Sequence, residues 1–236
     1  MWSGPRNLST AMMYSFAQRA DCAVWDEPFY AAYLEETDLD HPMREAVIAA
    51  GEPDMARVID RCLGPVPDGH SLFYQKHMTH HLLDHWPLDW LADVTNVFLI
   101  RHPARVVASY LRKRETPVFD DLGFRQQTRL FEHVEGTGQK PVIIDCDDIL
   151  ADPKAALSAL CDALDMPFDP AMLGWDRGPK PFDGAWAPHW YGAVHRSTGF
   201  GQPEPDLPRI DPAFAPLVER AMPTYQAIHA RRLRAC

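Results

Sequence analysis

Short apolar runs recur along the chain, and most of them end at a polar or charged residue. Runs that are apolar on successive positions are typical of strands buried on both faces of a parallel sheet. Counting a very short one at the start, five strands are predicted, at residues 1–2, 22–25, 72–76, 96–100 and 141–145. Because helical patterns separate these runs, the chain is predicted to be an α/β protein with a mostly parallel five-stranded sheet flanked by helices.

The intervening segments carry apolar residues at helical spacing. Helices are predicted at residues 9–19, 43–50, 55–63, 104–112, 123–136, 153–164 and about 212–234, the last interrupted near Pro216 or Pro223. The run after the third strand contains His81 and His85, which on a helix would share one face and form half of a metal site. No third ligand is evident, a partly exposed helix face is the simpler interpretation, and no metal is predicted.

The segment from residue 167 to 211 has a different character, because it is rich in proline and aromatic residues. Its prolines disfavour long regular elements, and its aromatic side chains include Trp175, Trp186, Trp190 and Tyr191. We predict a long loop over the ligand edge of the sheet that shapes an acceptor pocket, with a tail that merely covers the core as the alternative. Residues 1–236 are predicted to form a single domain, with 212–236 as its C-terminal helix.

Composition narrows the class of partner. The chain has 46% hydrophobic and 24% charged residues, which is ordinary for a soluble globular protein, and a formal charge of −10. That charge argues against nucleic acid or an anionic membrane as a partner, so local groups must hold any anionic ligand. Five dispersed cysteines without a CxxC pair, and the lack of a signal-peptide pattern or a long apolar stretch, predict a cytoplasmic protein. The oligomeric state is not indicated.

The segment SGPRNLST, which begins at Ser3, is the first candidate for a ligand site. A glycine-started loop that passes directly into a helix presents free backbone N–H groups and the positive end of the helix dipole to an anion. Arg6 adds a full charge. A helix cap next to a solvated arginine is the alternative. The segment lacks the Gly-Lys pair of a Walker A loop, which disfavours the usual binding of ATP with magnesium.

A second candidate follows the fourth strand. Arg101 stands directly after the apolar run, Pro103 suits the first turn of the next helix, and Ser109 lies eight positions after Arg101. A guanidinium at a strand end can make bidentate contacts with a phosphate, and a hydroxyl further along the helix can complete them. This segment therefore predicts a second phosphate site.

Together these segments resemble the P-loop sulfotransferase family. FLIRHPARVVASYL is similar to that family's 3′-phosphate motif, SGPRNLST to its 5′-phosphosulfate loop, and VIIDCDDILADPKAALSALCDALDMPFD to the strand, acidic pair and helix that follow. The resemblance implies a P-loop nucleoside-triphosphate-hydrolase-like fold and sulfuryl transfer from 3′-phosphoadenosine 5′-phosphosulfate (PAPS) to a hydroxyl or amine of a small-molecule acceptor, without a metal. It implies these nucleotide-binding residues: Gly4, Pro5, Arg6, Asn7, Leu8, Ser9, Thr10, Arg101, Ser109 and Arg196.

The reaction also needs a base for the acceptor. Glu27 follows the second strand in the segment DEPFY, which is similar to a glutamate-containing segment of carbohydrate and some bacterial sulfotransferases, and it is the predicted base. Cytosolic members use a histidine shortly after the lysine-bearing strand, but Met78 stands at that offset from Lys76. A histidine could serve only after a shift in register, and the candidates are His77, His80 and His81. Lys76 and Arg6 are predicted to stabilise the leaving phosphate oxygen.

Two other functions remain open from the sequence. Asp145 ends the fifth strand, as a magnesium-binding acid does in nucleotide kinases, so a small-molecule kinase that uses ATP and magnesium is one alternative. The other is a homologue that binds the nucleotide but has lost catalysis.

Overall fold

The computed structural model describes residues 1–112, 117–203 and 206–234. Pro205 and Cys236, which entered the sequence analysis, lie outside these ranges. Five strands form one sheet, in the order β2-β3-β1-β4-β5, and every pairing between neighbours is parallel. The strands are β1 (Trp2–Ser3), β2 (Cys22–Asp26), β3 (Leu72–Met78), β4 (Val97–Ile100) and β5 (Val142–Asp145).

Helices cover both faces of the sheet. They are α1 (Ser9–Phe16), α2 (Tyr30–Thr37), α3 (Arg44–Ala50), α4 (Met55–Cys62), α5 (Pro103–Leu111), α6 (Phe124–Gly136), α7 (Cys146–Ala151), α8 (Pro153–Ala163), α9 (Ala187–Trp190), α10 (Gly192–His195) and α11 (Ala215–His229). Successive side chains of a strand point to opposite faces, so Leu99 packs with α1, α7 and α8 while Phe98 packs with α6 and α11. The apolar strand runs arise because both faces are buried.

The strand predictions are confirmed within one or two residues, and the helices differ in several places. Four helices were not predicted: α2, α7 and the one-turn helices α9 and α10. The histidine-rich run is not a helix, because β3 continues to Met78 and a short 3₁₀ turn, Thr79–His81, follows it. His81 and His85 therefore do not share a helix face. The last helix begins at Ala215, with Pro216 in its first turn, and continues through Pro223 rather than ending there.

Among the described residues, no helix combines the length and apolar character that crossing a bilayer requires. The segment from 167 to 211 contains only short elements where it is described. An antiparallel bridge between Gly174 and Gly199 closes residues 174–199 into a loop, which we call the strap. The strap lies across the carboxyl ends of the strands, because Asp26, the last residue of β2, accepts a hydrogen bond from the Gly184 N–H.

Candidate functional site

A cavity of about 450 Å³ opens at the carboxyl ends of the strands. This is the edge of a parallel sheet where α/β folds bind their ligands, and the volume lies within the range of about 300–1,000 Å³ usual for such pockets. Eleven of the residues predicted to bind the nucleotide or to act in catalysis line it: Pro5, Arg6, Asn7, Leu8, Ser9, Thr10, Glu27, Lys76, His81, Arg101 and Ser109. The alternative base His80 and the loop residues Trp190 and Tyr191 also line it, whereas Gly4 does not.

The loop after β1 owes its shape to close backbone contacts. A Cβ on Gly4 would lie 2.7 Å from the carbonyl oxygen of Leu122, so this position needs a glycine for packing rather than for ligand contact. Arg6 and Leu8 have φ values of 66° and 59°, an uncommon left-handed conformation for residues other than glycine. Asn7 donates from Nδ2 to the Leu99 carbonyl at 3.3 Å and ties the loop to β4. The loop is therefore shaped before any ligand binds.

Helix α1 points its N-terminus into the cavity. The Met12 N–H donates to the Leu8 carbonyl at 3.0 Å, so the N–H groups of Ser9, Thr10 and Ala11 lie ahead of the first intrahelical bond. No side chain caps this end within the part of the chain that the structure describes. All three residues line the cavity, which makes the first turn of α1 a site for an anion.

The two predicted phosphate motifs meet at this point. Arg101 Nη1 donates to the Arg6 carbonyl at 2.8 Å, and Arg6 Nε donates to Ser109 Oγ at 3.1 Å. Both Arg101 and Ser109 are buried, which fixes their positions against the loop. Segments about a hundred residues apart in the sequence therefore form one wall of the cavity.

This wall carries three arginines, and Asp121 also lines the cavity. Arg112, which the sequence analysis did not single out, also lines the cavity. Burial, followed by repulsion from the guanidinium groups of Arg112 and Arg101, lowers the pKa of Arg6. Over residues 1–112, 117–203 and 206–234, no carboxylate lies within ion-pairing distance of Arg6. An anion placed among these arginines would relieve their mutual repulsion.

The opposite wall holds a buried ionic cluster built on Lys76. Its ammonium donates to Asp26 Oδ1 at 2.9 Å, to Glu27 Oε1 in a short contact, and to the Tyr191 hydroxyl at 2.8 Å. An ammonium has three donors, and all three are used. Lys76 was expected to contact the ligand's anion, but its charge is directed at the two carboxylates instead.

Glu27 occupies an unusual position for a charged residue. It lies in the turn between β2 and α2 with a φ of 41° and is 9% exposed. Its Oε2 lies 3.8 Å from Nδ1 of His81, and the residue faces the cavity. Burial raises the pKa of Glu27, although the charge of Lys76 opposes this effect. Lys76 itself keeps its proton: burial lowers its pKa, but attraction to Asp26 and Glu27 outweighs that and leaves the pKa above its ordinary value.

The histidines near Glu27 are neutral. Burial lowers the pKa of His81 well below its usual range and that of His80 to about 3. The His81 ring stacks on Tyr30 with 4.3 Å between ring centroids. His77, which was the third histidine considered as a base, is buried against Trp2 and does not line the cavity. His85 pairs with Glu36 instead of approaching His81.

Two further predicted residues, Arg196 and Asp145, lie in a different arrangement. Arg196 has an exposed side chain outside the cavity, and it is its neighbours Ser197 and Gly199 that line the cavity. Asp145, considered as a magnesium ligand, caps α7 by accepting the Asp147 N–H at 2.7 Å and accepts the Tyr225 hydroxyl at 2.9 Å. It does not line the cavity either. In the described ranges, no three histidine, cysteine or acidic side chains are grouped closely enough to hold a metal ion.

The strap lies over the ligand edge as predicted, but its bonds to the Lys76 cluster were not predicted from the sequence. Tyr191 contacts Lys76 and Asp26, and Trp186 Nε1 donates to the Tyr191 hydroxyl at 2.9 Å. Trp190 lines the cavity mouth, where its ring lies 5.9 Å from that of His41. The aromatic content of the segment was the only signal, and it does not reveal which ring enters the site.

Comparison with known proteins identifies the family of the chain, although its curated relatives carry a different name. The family described as "Sulfotransferase domain" matches residues 1–232. Two curated proteins of Arabidopsis thaliana, branched-chain-amino-acid aminotransferase-like proteins 1 and 2, are each 38% identical to the chain, over 97% and 96% of its length. The chain spans only 41% and 40% of those relatives.

Solved structures match at the level of fold. The sulfotransferase domain of the Synechococcus PCC 7002 olefin synthase superposes with a TM-score of 0.52 at 20% identity, covering 93% of this chain and 92% of that domain. The sulfotransferase domain from the curacin biosynthetic pathway has a TM-score of 0.48 at 15% identity, with 95% of each chain covered. The fold is thus the P-loop nucleoside-triphosphate-hydrolase-like α/β fold expected from the sequence.

Proposed function

The chain belongs to the sulfotransferase domain family, and from that premise we propose that it transfers a sulfuryl group from PAPS to a hydroxyl or amine of a small-molecule acceptor. The observation that carries this proposal is the junction of the two phosphate motifs. Arg101 and Arg6 are joined by a 2.8 Å hydrogen bond at the mouth of the loop. A donor with phosphates at both its 5′ and 3′ positions suits this pair of adjacent anion sites.

The donor would lie across the cationic wall. The N–H groups at the start of α1 and the loop from Pro5 to Thr10 hold the 5′-phosphosulfate. Arg101 and Ser109 hold the 3′-phosphate, and the Arg6 side chain, which reaches Ser109, joins the two sites. Fixed charges and dipoles of this kind stabilise the negative charge that grows on the leaving phosphate.

Glu27 serves as the general base. It takes the proton of the acceptor hydroxyl as the oxygen attacks sulfur, the bond from sulfur to the phosphate oxygen breaks, and adenosine 3′,5′-bisphosphate leaves. Its buried position raises its pKa, which makes the carboxylate a stronger base than an exposed glutamate. Lys76 holds Glu27 by a direct ion pair, and the neutral His81 borders the same site.

Other activities fit the site less well. A kinase would need Asp145 to bind magnesium, but this side chain is already engaged at the start of α7. Aminotransferase chemistry, suggested by the relatives' names, needs a lysine amine free to form a Schiff base. All three donors of Lys76, the lysine in the cavity wall, are occupied.

Calorimetry tests the donor assignment. We expect adenosine 3′,5′-bisphosphate to bind at least tenfold more tightly than adenosine 5′-monophosphate, and more tightly than ATP with magnesium. Equal affinities for these three nucleotides would contradict the proposal. Transfer of labelled sulfuryl from PAPS to a panel of alcohols and amines then separates the enzyme from a homologue that only binds the nucleotide, since the latter would give tight binding with no labelled product.

A further inference from the structure

The hydrogen-bond partners of Lys76 leave its ammonium group no donor for a ligand. Its three donors are taken by Asp26, Glu27 and Tyr191, and its side chain is 1% exposed. To contact a sulfonate it would have to give up one of these bonds inside a buried site, where an unpaired charged group is costly. The ion pair with Glu27 is therefore the contact through which Lys76 acts.

Asp26 is equally well held. Its carboxylate accepts from Lys76, from the Tyr191 hydroxyl at 2.7 Å and from the Gly184 N–H at 3.1 Å. It is 4% exposed and does not line the cavity. With Lys76 positive and both acids ionised, the cluster carries one net negative charge, and it becomes neutral when Glu27 takes a proton.

The Tyr191 hydroxyl closes the network. It accepts from Lys76 and from Trp186 Nε1 at 2.9 Å, and its one proton is shared between Asp26 Oδ2 at 2.7 Å and Glu27 Oε1 at 3.3 Å. A hydroxyl has one donor and two acceptor positions, so every position is used. Both Tyr191 and Trp186 come from the strap, which means that the strap completes the cluster behind Glu27.

We propose, on the basis of the function proposed above, that Asp26 and Tyr191 are positioning residues that act on Glu27 through Lys76, and that Tyr191 also acts directly through its hydroxyl, 3.3 Å from Oε1 of Glu27. Asp26 shares the positive charge of Lys76, so that Lys76 does not fully neutralise the charge of Glu27. Tyr191 holds the ammonium group of Lys76 in position next to Oε1 of Glu27. Asp26 also repels the Glu27 carboxylate, so its charge adds to the basicity that burial creates. The groups that face Glu27 are Lys76, Asp26 and Tyr191 with the neutral His81 and Tyr30.

The test is the pH dependence of the transfer rate, which reports the protonation of Glu27, in the wild type and in Asp26→Asn. The wild-type rate should fall at low pH with a midpoint above the ordinary pKa of glutamate, since protonated Glu27 cannot act as a base. In Asp26→Asn the negative charge beside Glu27 is gone, so we expect this midpoint to move to lower pH and the plateau of kcat to fall. The KM for PAPS should stay unchanged. A role limited to folding would lower the plateau without moving the midpoint, and that result would overturn the proposal.

Infrared spectroscopy supplies a readout that does not need turnover. The C=O band of the protonated Glu27 carboxyl, assigned by its loss in Glu27→Gln, should titrate at lower pH in Asp26→Asn than in the wild type. An unmoved band would refute the proposal whatever the kinetics show. If the band moves but neither the wild type nor any variant transfers sulfuryl, the proposed function fails, while the electrostatic coupling of Asp26 to Glu27 is retained.

Tyr191→Phe tests the second residue and carries the experiment if Asp26→Asn does not fold. It keeps the ring over Lys76 and removes only the hydroxyl, so we expect about a tenfold loss of kcat, no downward shift of the midpoint and unchanged binding of adenosine 3′,5′-bisphosphate. Matched controls are Tyr225→Phe and Asp145→Asn, which alter a buried Tyr-Asp bond outside the cavity and should leave the rate and its pH profile unchanged. A wild-type kcat in Tyr191→Phe would exclude the role of the hydroxyl.

Discussion

The two walls of the cavity handle charge in opposite ways. On the loop wall, Arg6, Arg101 and Arg112 lie close together, and burial followed by their repulsion lowers the pKa of Arg6. On the opposite wall, Lys76 is paired with Asp26 and Glu27. Burial lowers the pKa of Lys76, but attraction to these two carboxylates outweighs that effect and raises it. The first wall presents guanidinium groups and the N–H groups at the start of α1 to an anion. The second is already balanced, and it holds one carboxylate ready to take a proton.

This contrast predicts that changes on the two walls affect different quantities. Loss of a group from the loop wall should weaken donor binding and leave the proton-transfer step intact. Loss of a group from the Glu27 wall should slow the transfer and leave donor binding intact. Four measurements should reveal whether the two walls act separately.

Glu27→Gln should have the largest effect. A positioned general base typically contributes about 10²–10⁴ to the rate, and glutamine keeps the shape of the side chain but cannot take the proton. We expect kcat to fall by about that factor, with the affinity for adenosine 3′,5′-bisphosphate within twofold of the wild type. Steady-state kinetics and calorimetry measure the two quantities. Turnover close to the wild-type rate would transfer the role of base to another residue.

Arg101→Ala should act on the other wall. Removing a charged hydrogen-bonding group from a phosphate site costs about 1.5–3 kcal/mol, which corresponds to roughly a 10-fold to 100-fold loss of affinity for adenosine 3′,5′-bisphosphate. Adenosine 5′-monophosphate, which lacks the 3′-phosphate, should be affected much less. Arg125→Ala is the control, because the ion pairs of Arg125 with Asp84 and Asp120 are exposed and Arg125 does not line the cavity. Equal losses for both nucleotides would place Arg101 away from the 3′-phosphate.

Gly4→Ala tests whether the loop wall depends on backbone packing. The added methyl group would lie 2.7 Å from the Leu122 carbonyl oxygen, an overlap that costs about 1–3 kcal/mol of stability. Thermal unfolding should show a lower Tm, and donor binding should weaken as the loop shifts. Gly136→Ala is the matched control, because a Cβ there meets nothing within 4 Å and the position ends helix α6. Unchanged stability in Gly4→Ala would mean that the contact with Leu122 relaxes without cost.

Ionic strength should have the smallest effect, and it should affect donor binding more than the pH dependence of kcat. The affinity for adenosine 3′,5′-bisphosphate should fall several-fold when ionic strength rises about tenfold, because Arg112 is exposed and its attraction to the ligand is screened. The low-pH midpoint of kcat, set by the buried Glu27, should move little over the same range, since buried pairs are screened much less. A midpoint that follows the salt would show that solvent reaches the Lys76 cluster.

The local patterns of the sequence were sufficient for the sheet and for the family. Buried strands read as continuous apolar runs because both faces of a parallel sheet are covered, and the motifs around Arg6 and Arg101 lie next to those strands, so their convergence at one sheet edge could be anticipated. The resemblance to sulfotransferases, confirmed by the family match over residues 1–232, rests on the same motifs.

Which charged side chains lie next to one another was decided only by the tertiary structure. Lys76 looked like an anion ligand because it stands near a strand end, but parallel pairing of β2 with β3 places Asp26 directly beside it. Tyr191 comes from the strap, over a hundred residues later, and no periodicity marks its ring among four other aromatic residues. Arg112 lies in the same cavity wall as Arg6 because it follows helix α5, which packs beside the loop that carries Arg6. Side-chain partners depend on packing between distant segments, and that packing leaves no local pattern to read.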